Sequence, residues 1–191
     1  MSLEQRRNLL IALLNDSEEE VRAAAVTALE RLESFQDLSQ IIQDLKAEKR
    51  GQRVKAIFAL ENVKSTEVFP HLITLLKDPD ADIRGAAIQV LGVKAHPKSL
   101  SSLFKHLKDP SPSVRVHTVE ALGHFDDVRL APYLVALLDD EDEQLVASAA
   151  RALGSIGSPD SIQPLAKLIS DSRATVRVAA VQALSELPLK E

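Results

Sequence analysis

His117, Glu120 and His124 stand three and four residues apart, a spacing that puts three side chains on one face of a helix. Two imidazoles and a carboxylate form a donor set suited to Fe, Zn or Mn. His117 and His124 nevertheless span about two turns, roughly 10 Å of rise. One helix therefore does not close all three on one ion, and a metal site would need help from Gln89, Arg151 or a loop. The simpler reading is surface histidines beside a glutamate, with no cofactor and no catalytic residue. Other reactive chemistry is missing from the chain. It has no Cys, which removes disulfides, thiolate metal sites and a cysteine nucleophile. It also has no phosphate loop, no GxSxG elbow and no HExxH pair.

What remains is the chemistry of binding. Among 191 residues there are one Tyr, five Phe and no Trp, and the net charge is −5. Nucleic-acid affinity comes mostly from Lys and Arg on phosphates and from aromatic stacking, so this composition argues against it. Charge is uneven along the chain. Residues 1–34 and 128–158 each carry −3. Residues 35–65 carry +2 through Lys46, Lys49, Arg50, Arg53, Lys55 and Lys64. Such asymmetry can orient a protein partner. No apolar run reaches the roughly 20 residues of a spanning helix. The absence of a secretory leader and of cysteine points to a cytoplasmic protein.

The elements that must position these residues follow from a repeat. The segment DPDADIRGAAIQVLG at Asp78–Gly92 returns as DPSPSVRVHTVEALG at Asp109–Gly123, 31 residues on. The same shift relates Leu29, Leu60, Leu91, Leu122, Leu153 and Leu184. It also relates Asp16, Asp78, Asp109, Asp140 and Asp171, and Arg22, Arg53, Arg84, Arg115 and Arg177, with Ala47 and Val146 as the exceptions. The register predicts one solenoid domain over 1–191, built of repeats near 1–34, 35–65, 66–96, 97–127, 128–158 and 159–191. Each repeat holds two helical patterns. The first carries apolar residues such as Leu72, Ile73 and Leu76, or Leu134, Val135 and Leu138. The second begins after the Asp and carries small residues such as Ala86–Ala87 and Ala147–Ala150. One such hairpin cannot bury its own apolar face, whereas stacked hairpins can.

Units of the form LLxDxxxxVRxxAxxALG resemble HEAT-like repeats of the phycobilin-lyase type. The resemblance implies an all-α, right-handed α-α superhelix, with second helices lining a concave side that mostly holds other proteins. A few members are enzymes or cofactor handlers. HEAT-like deoxyhypusine hydroxylases carry His-Glu dipeptides. Here the five His precede Leu72, Pro97, Leu107, Thr118 and Phe125, so that activity is not implied. HEAT-like DNA glycosylases use basic, aromatic concave surfaces, which this chain lacks. No chromophore-handling motif stands out either.

The recurring Asp is expected to cap the start of each second helix, and the recurring Arg to reach the Asp of a neighbouring repeat. Concave rows place Arg50, Lys55, Phe58, Asn62, Gln89, Val93, His117, Glu120, His124 and Arg151 as partner contacts, with Phe58 as apolar anchor. The expected function is a non-enzymatic scaffold for another protein. The alternative is an accessory protein handling a metal or a bilin-type cofactor at His117, Glu120 and His124. Arg7, in a row otherwise apolar, reads as an N-terminal cap. The last repeat keeps Val178, Val181 and Leu187 apolar, which fits a piece of a longer array or a last face buried against a partner, and the expected state is a monomer or weak self-association through the C-terminal end.

Overall fold

A computed structural model describes residues 1–188, apart from the side chains of 34–36. The described residues are helical with no strand. The chain divides into two compact units, Met1–Lys64 and Ser65–Glu191.

The first unit holds α1 (Leu3–Ala12), α2 (Glu19–Asp44) and α3 (Arg50–Ala59). A capping box starts α1. The Gln5 backbone N–H donates to Ser2 Oγ at 3.2 Å, and the Ser2 N–H donates to Gln5 Oε1 at 2.8 Å. The repeat register expects a joint near residue 34, but α2 runs through it for 26 residues. The stretch Arg31–Asp37 contains neither Gly nor Pro, so nothing stops the helix there.

The second unit stacks four helical hairpins. They pair α4 (Val68–Leu75) with α5 (Ala81–Lys94), α6 (Leu100–His106) with α7 (Pro112–Gly123), α8 (Ala131–Val135) with α9 (Glu143–Ile156), and α10 (Ile162–Leu168) with α11 (Ala174–Glu186). Here the joints are punctuated. Asp142 accepts from the N–H groups of Gln144 and Leu145 at the start of α9, and Gly157 ends that helix at φ 70°. Pro112 opens α7 in the first turn, where its missing N–H costs no bond.

The second helices pack side by side, α5 on α7, α7 on α9 and α9 on α11. Their core is the Leu row: Leu91, Leu122 and Leu153 are fully buried. Between them runs a seam of glycine against alanine. A Cβ at Gly92 would lie 2.6 Å from Ala121 Cα, and one at Gly154 would lie 2.7 Å from Ala183 Cα. Gly123 meets Ala152 in the same way. Each glycine removes the one atom that would hold the next helix away. The neighbouring face of α5, α7 and α9 is left open, and it carries the polar residues Gln89, His117, Glu120 and Arg151.

Candidate functional site

The turn before each second helix is built by its Asp. In all five cases Oδ1 accepts the backbone N–H two residues on: Asp16 from Glu18, Asp78 from Asp80, Asp109 from Ser111, Asp140 from Asp142 and Asp171 from Arg173. The bond closes the turn just ahead of the helix, from a position two residues before the N-cap. The recurring Arg braces the same turn. Its Nη1 donates to the Asp carbonyl of its own repeat, from Arg22 to Asp16, Arg84 to Asp78, Arg115 to Asp109 and Arg177 to Asp171. Arg53, whose repeat has Ala47, donates through Nε to Leu45 O.

The expected reach to a neighbouring repeat takes a narrower form. Arg84 makes it as a two-pronged pair, Nε to Asp109 Oδ2 at 2.9 Å and Nη2 to Oδ1 at 2.8 Å. Arg115 lies 3.9 Å from Asp142 rather than beside Asp140. The backbone carbonyl is the constant partner because its position is fixed by the turn, whereas the next carboxylate depends on the spacing of two hairpins. Where Val146 replaces the Arg, Arg173 crosses over, donating to Asp140 O and Glu141 O. Its hydrogen bond to Asp171 also holds that carboxyl down at about 2.

On the open face of the second unit, five side chains from three successive helices form one network. Gln89 on α5 sets Nε2 3.0 Å from His117 Nδ1 on α7. His117 Nδ1 lies 3.4 Å from Glu120 Oε2, one turn on. Ser148 Oγ on α9 donates to Glu120 Oε1 at 3.1 Å, and Arg151 Nη2 donates to Ser148 Oγ at 3.0 Å. Nδ1 has two roles: neutral, it accepts from Gln89; protonated, it donates to Glu120. The hydrogen bond from His117 lowers the Glu120 pKa. Partial burial opposes this, while Ser148 and the charges of His117 and Arg151 reinforce it. Glu120 is thus an anchored carboxylate, still 43% exposed at its side chain.

Sequence reasoning named four of these five residues. Ser148 was missed: its row in this unit holds Ala86, His117 and Ala179, and a serine flanked in its own helix by Ala147 and Ala149 reads as a small packing residue. Gly85 was missed too. A Cβ there would fall 3.0 Å from His117 Cδ2, so the glycine makes room for the ring. Its signal was visible as a Gly in a row of Ala23, Val54, Val116, Ala147 and Val178. Val93 and His124 are exposed on the adjacent row and do not join the network. His124 caps the end of α7, a turn beyond Glu120, and no group of three His, Asp or Glu among the described residues could hold a metal ion. The suggested three-ligand set is therefore a two-member His–Glu pair.

In the first unit, Arg50, Lys55, Phe58 and Asn62 lie on α3 and the turn that follows it, all exposed. Phe58 is 39% exposed rather than tucked between helices.

A family model described as HEAT repeats matches residues 38–110 and again 100–185, and one described as HEAT repeat matches 7–35. No curated protein matches the sequence. Among solved structures, the chain is similar to one in the complex of CpcE and CpcF of phycocyanin lyase from Nostoc sp. PCC7120. The two share 24% identity and a TM-score of 0.68, over 78% of this chain and 64% of that one. This chain therefore spans just under two thirds of that chain's length. A designed armadillo repeat protein in complex with the peptide (KR)4 is similar at 21% identity and a TM-score of 0.61, over 94% and 98% of the two chains. A second designed armadillo repeat protein gives 22% identity and 0.58, over 94% and 99%. At such identities the likeness speaks for the fold, an all-α superhelix of repeated hairpins. Since the repeat models also cover most of the sequence, the chain belongs to the HEAT-repeat family.

Proposed function

We propose that this chain is a non-enzymatic scaffold that holds a segment of another protein on the open face of its second helices. One observation carries the reading: Gln89, His117, Glu120, Ser148 and Arg151 are tied into a fixed array across α5, α7 and α9. Side chains held in place before binding lose little freedom on binding. The anchored carboxylate of Glu120 and the guanidinium of Arg151 present opposite charges on adjacent helices. Both bond Ser148 Oγ, at 3.1 and 3.0 Å, so the two charged groups lie within about 6 Å of each other. The matching partner carries a basic and an acidic group about that far apart, in fixed order. Arg50, Lys55, Phe58 and Asn62 form a second contact patch, basic with an aromatic anchor. The likeness to a lyase subunit solved in a complex and to an armadillo protein solved with a peptide favours a protein partner. No helix among the described residues is long and apolar enough to cross a membrane, and a cytoplasmic location belongs to the same reading.

The test is affinity capture with the wild type beside a folded Glu120→Lys/Arg151→Glu variant. A protein retained by the wild type and lost by the variant supports the array as a recognition surface. Identical captured sets from the two chains overturn it.

A further inference from the structure

The geometry points to a second interaction: copies of this chain associate head to tail, the α11 end of one seating on the α1/α2 end of the other. Each end carries one half of the contact that joins repeats inside the second unit. At the α11 end, Val178 and Val181 are 56% and 58% exposed. One repeat earlier, the same rows hold Ala147 and Ala150, fully buried where α9 packs on α11. Arg177 is set in the pose of Arg84, with Nη1 on the carbonyls of Asp171 and Ser172. In Arg84 the remaining Nε and Nη2 grip Asp109 of the next repeat. Among the described residues, those two donors of Arg177 have no acceptor, so the end presents an oriented fork to an incoming carboxylate.

The α1/α2 end presents the complement. A largely apolar groove of about 400 Å³ there is lined by Glu20 and by six apolar residues, Leu10, Leu13, Val21, Ala24, Ala25 and Ala28. Row for row the six apolar residues match Leu165, Leu168, Val176, Ala179, Ala180 and Ala183. In the last repeat, whose second helix α11 packs on α9, those six are all buried. Asp16 stands in the row of Asp109. The second copy therefore supplies both the apolar seat and the carboxylate that Arg177 lacks. This contact joins unlike surfaces, so it does not close on itself in pairs.

One substitution in the register sets its strength. Ser185 occupies the row of Gly92, Gly123 and Gly154. A Cβ in that row would meet the facing alanine at 2.6–3.0 Å, so Ser185 holds a docked copy farther off than an internal repeat. The predicted contact is weak, and Ser185→Gly strengthens it.

The experiment is sedimentation equilibrium of the full chain over a wide concentration range, with circular dichroism to confirm that each variant is folded. Wild type is expected to show a mass that rises with concentration. Arg177→Asp or Asp16→Arg alone weakens association by about tenfold or more. Mixing these two variants restores association, because both junctions between unlike copies pair a carboxylate with a guanidinium while like copies repel. Ser185→Gly tightens association about fivefold. Should Asp16→Arg fail to fold, Ala24→Glu blocks the same seat. A wild type that stays monomeric throughout overturns the proposal, whether or not another protein takes the α11 end. Association that Asp16→Arg and Ala24→Glu leave unchanged overturns it in favour of α11 against α11. Weakening by Ser185→Gly overturns the repeat-like geometry.

Discussion

Arg84 and Asp109 form an enclosed ion pair in the second unit, their side chains 12% and 5% exposed. Burial raises the Asp109 pKa. The Arg84 hydrogen bond, the Ser111 N–H and the Arg84 charge lower it by more, leaving it below its ordinary value of 3.8. A carboxylate depressed in this way stabilises the fold above its unfolded pKa and loses that contribution as pH falls through the folded one. Asp109→Asn should therefore cost about 1–3 kcal/mol at neutral pH, measured by urea unfolding. The difference from wild type should shrink only below pH 3.8. The Asp and Arg rows were legible because a 31-residue register repeats them five times. Which atoms they bond was not legible, since a backbone carbonyl and a neighbour's carboxylate both attract an Arg. The network around Glu120 was legible as a row of polar residues on one face. Its hydroxyl bridge was not, because a Ser among alanines reads as another small residue.

The glycines separate two kinds of helix position. Gly51, near the start of α3, has nothing within 4 Å of an added Cβ. Gly51→Ala is expected to stabilise by about 0.4–1 kcal/mol, through lower chain entropy and better helix propensity. Gly92→Ala gains the same propensity but drives its Cβ to 2.6 Å from the backbone of Ala121. It should destabilise by about 1–3 kcal/mol. Thermal unfolding of the two variants side by side checks the opposite signs. Existence and type of the helices were readable from the spacing of apolar residues. The joint inside α2 was misplaced because the 31-residue register demands a break there, while Arg31–Asp37 offers no residue that imposes one. Local chain chemistry won over the register.

The two units bury very different amounts of apolar side chain. The first keeps Ala25, Leu38, Leu45, Ala56, Ile57 and Leu60 buried, and α1 has no buried residue. The second runs a continuous row of fully buried leucines from Leu72 to Leu165. Amide hydrogen exchange should therefore be fastest among helices in α1 and slowest in α7 and α9. Uniform protection along the chain would contradict this ordering. The glycine–alanine seam also fixes the unit in which the gene can change. An in-frame loss of 97–127 would bring the row of Ala152 to Gly92, and the two helices could mate as before. A loss out of step with 31 residues would set bulkier side chains against the glycine. Unequal crossing-over between repeats can thus delete His117 and Glu120 in one event while sparing the scaffold, so recognition in such a lineage can evolve by recombination as well as by point substitution.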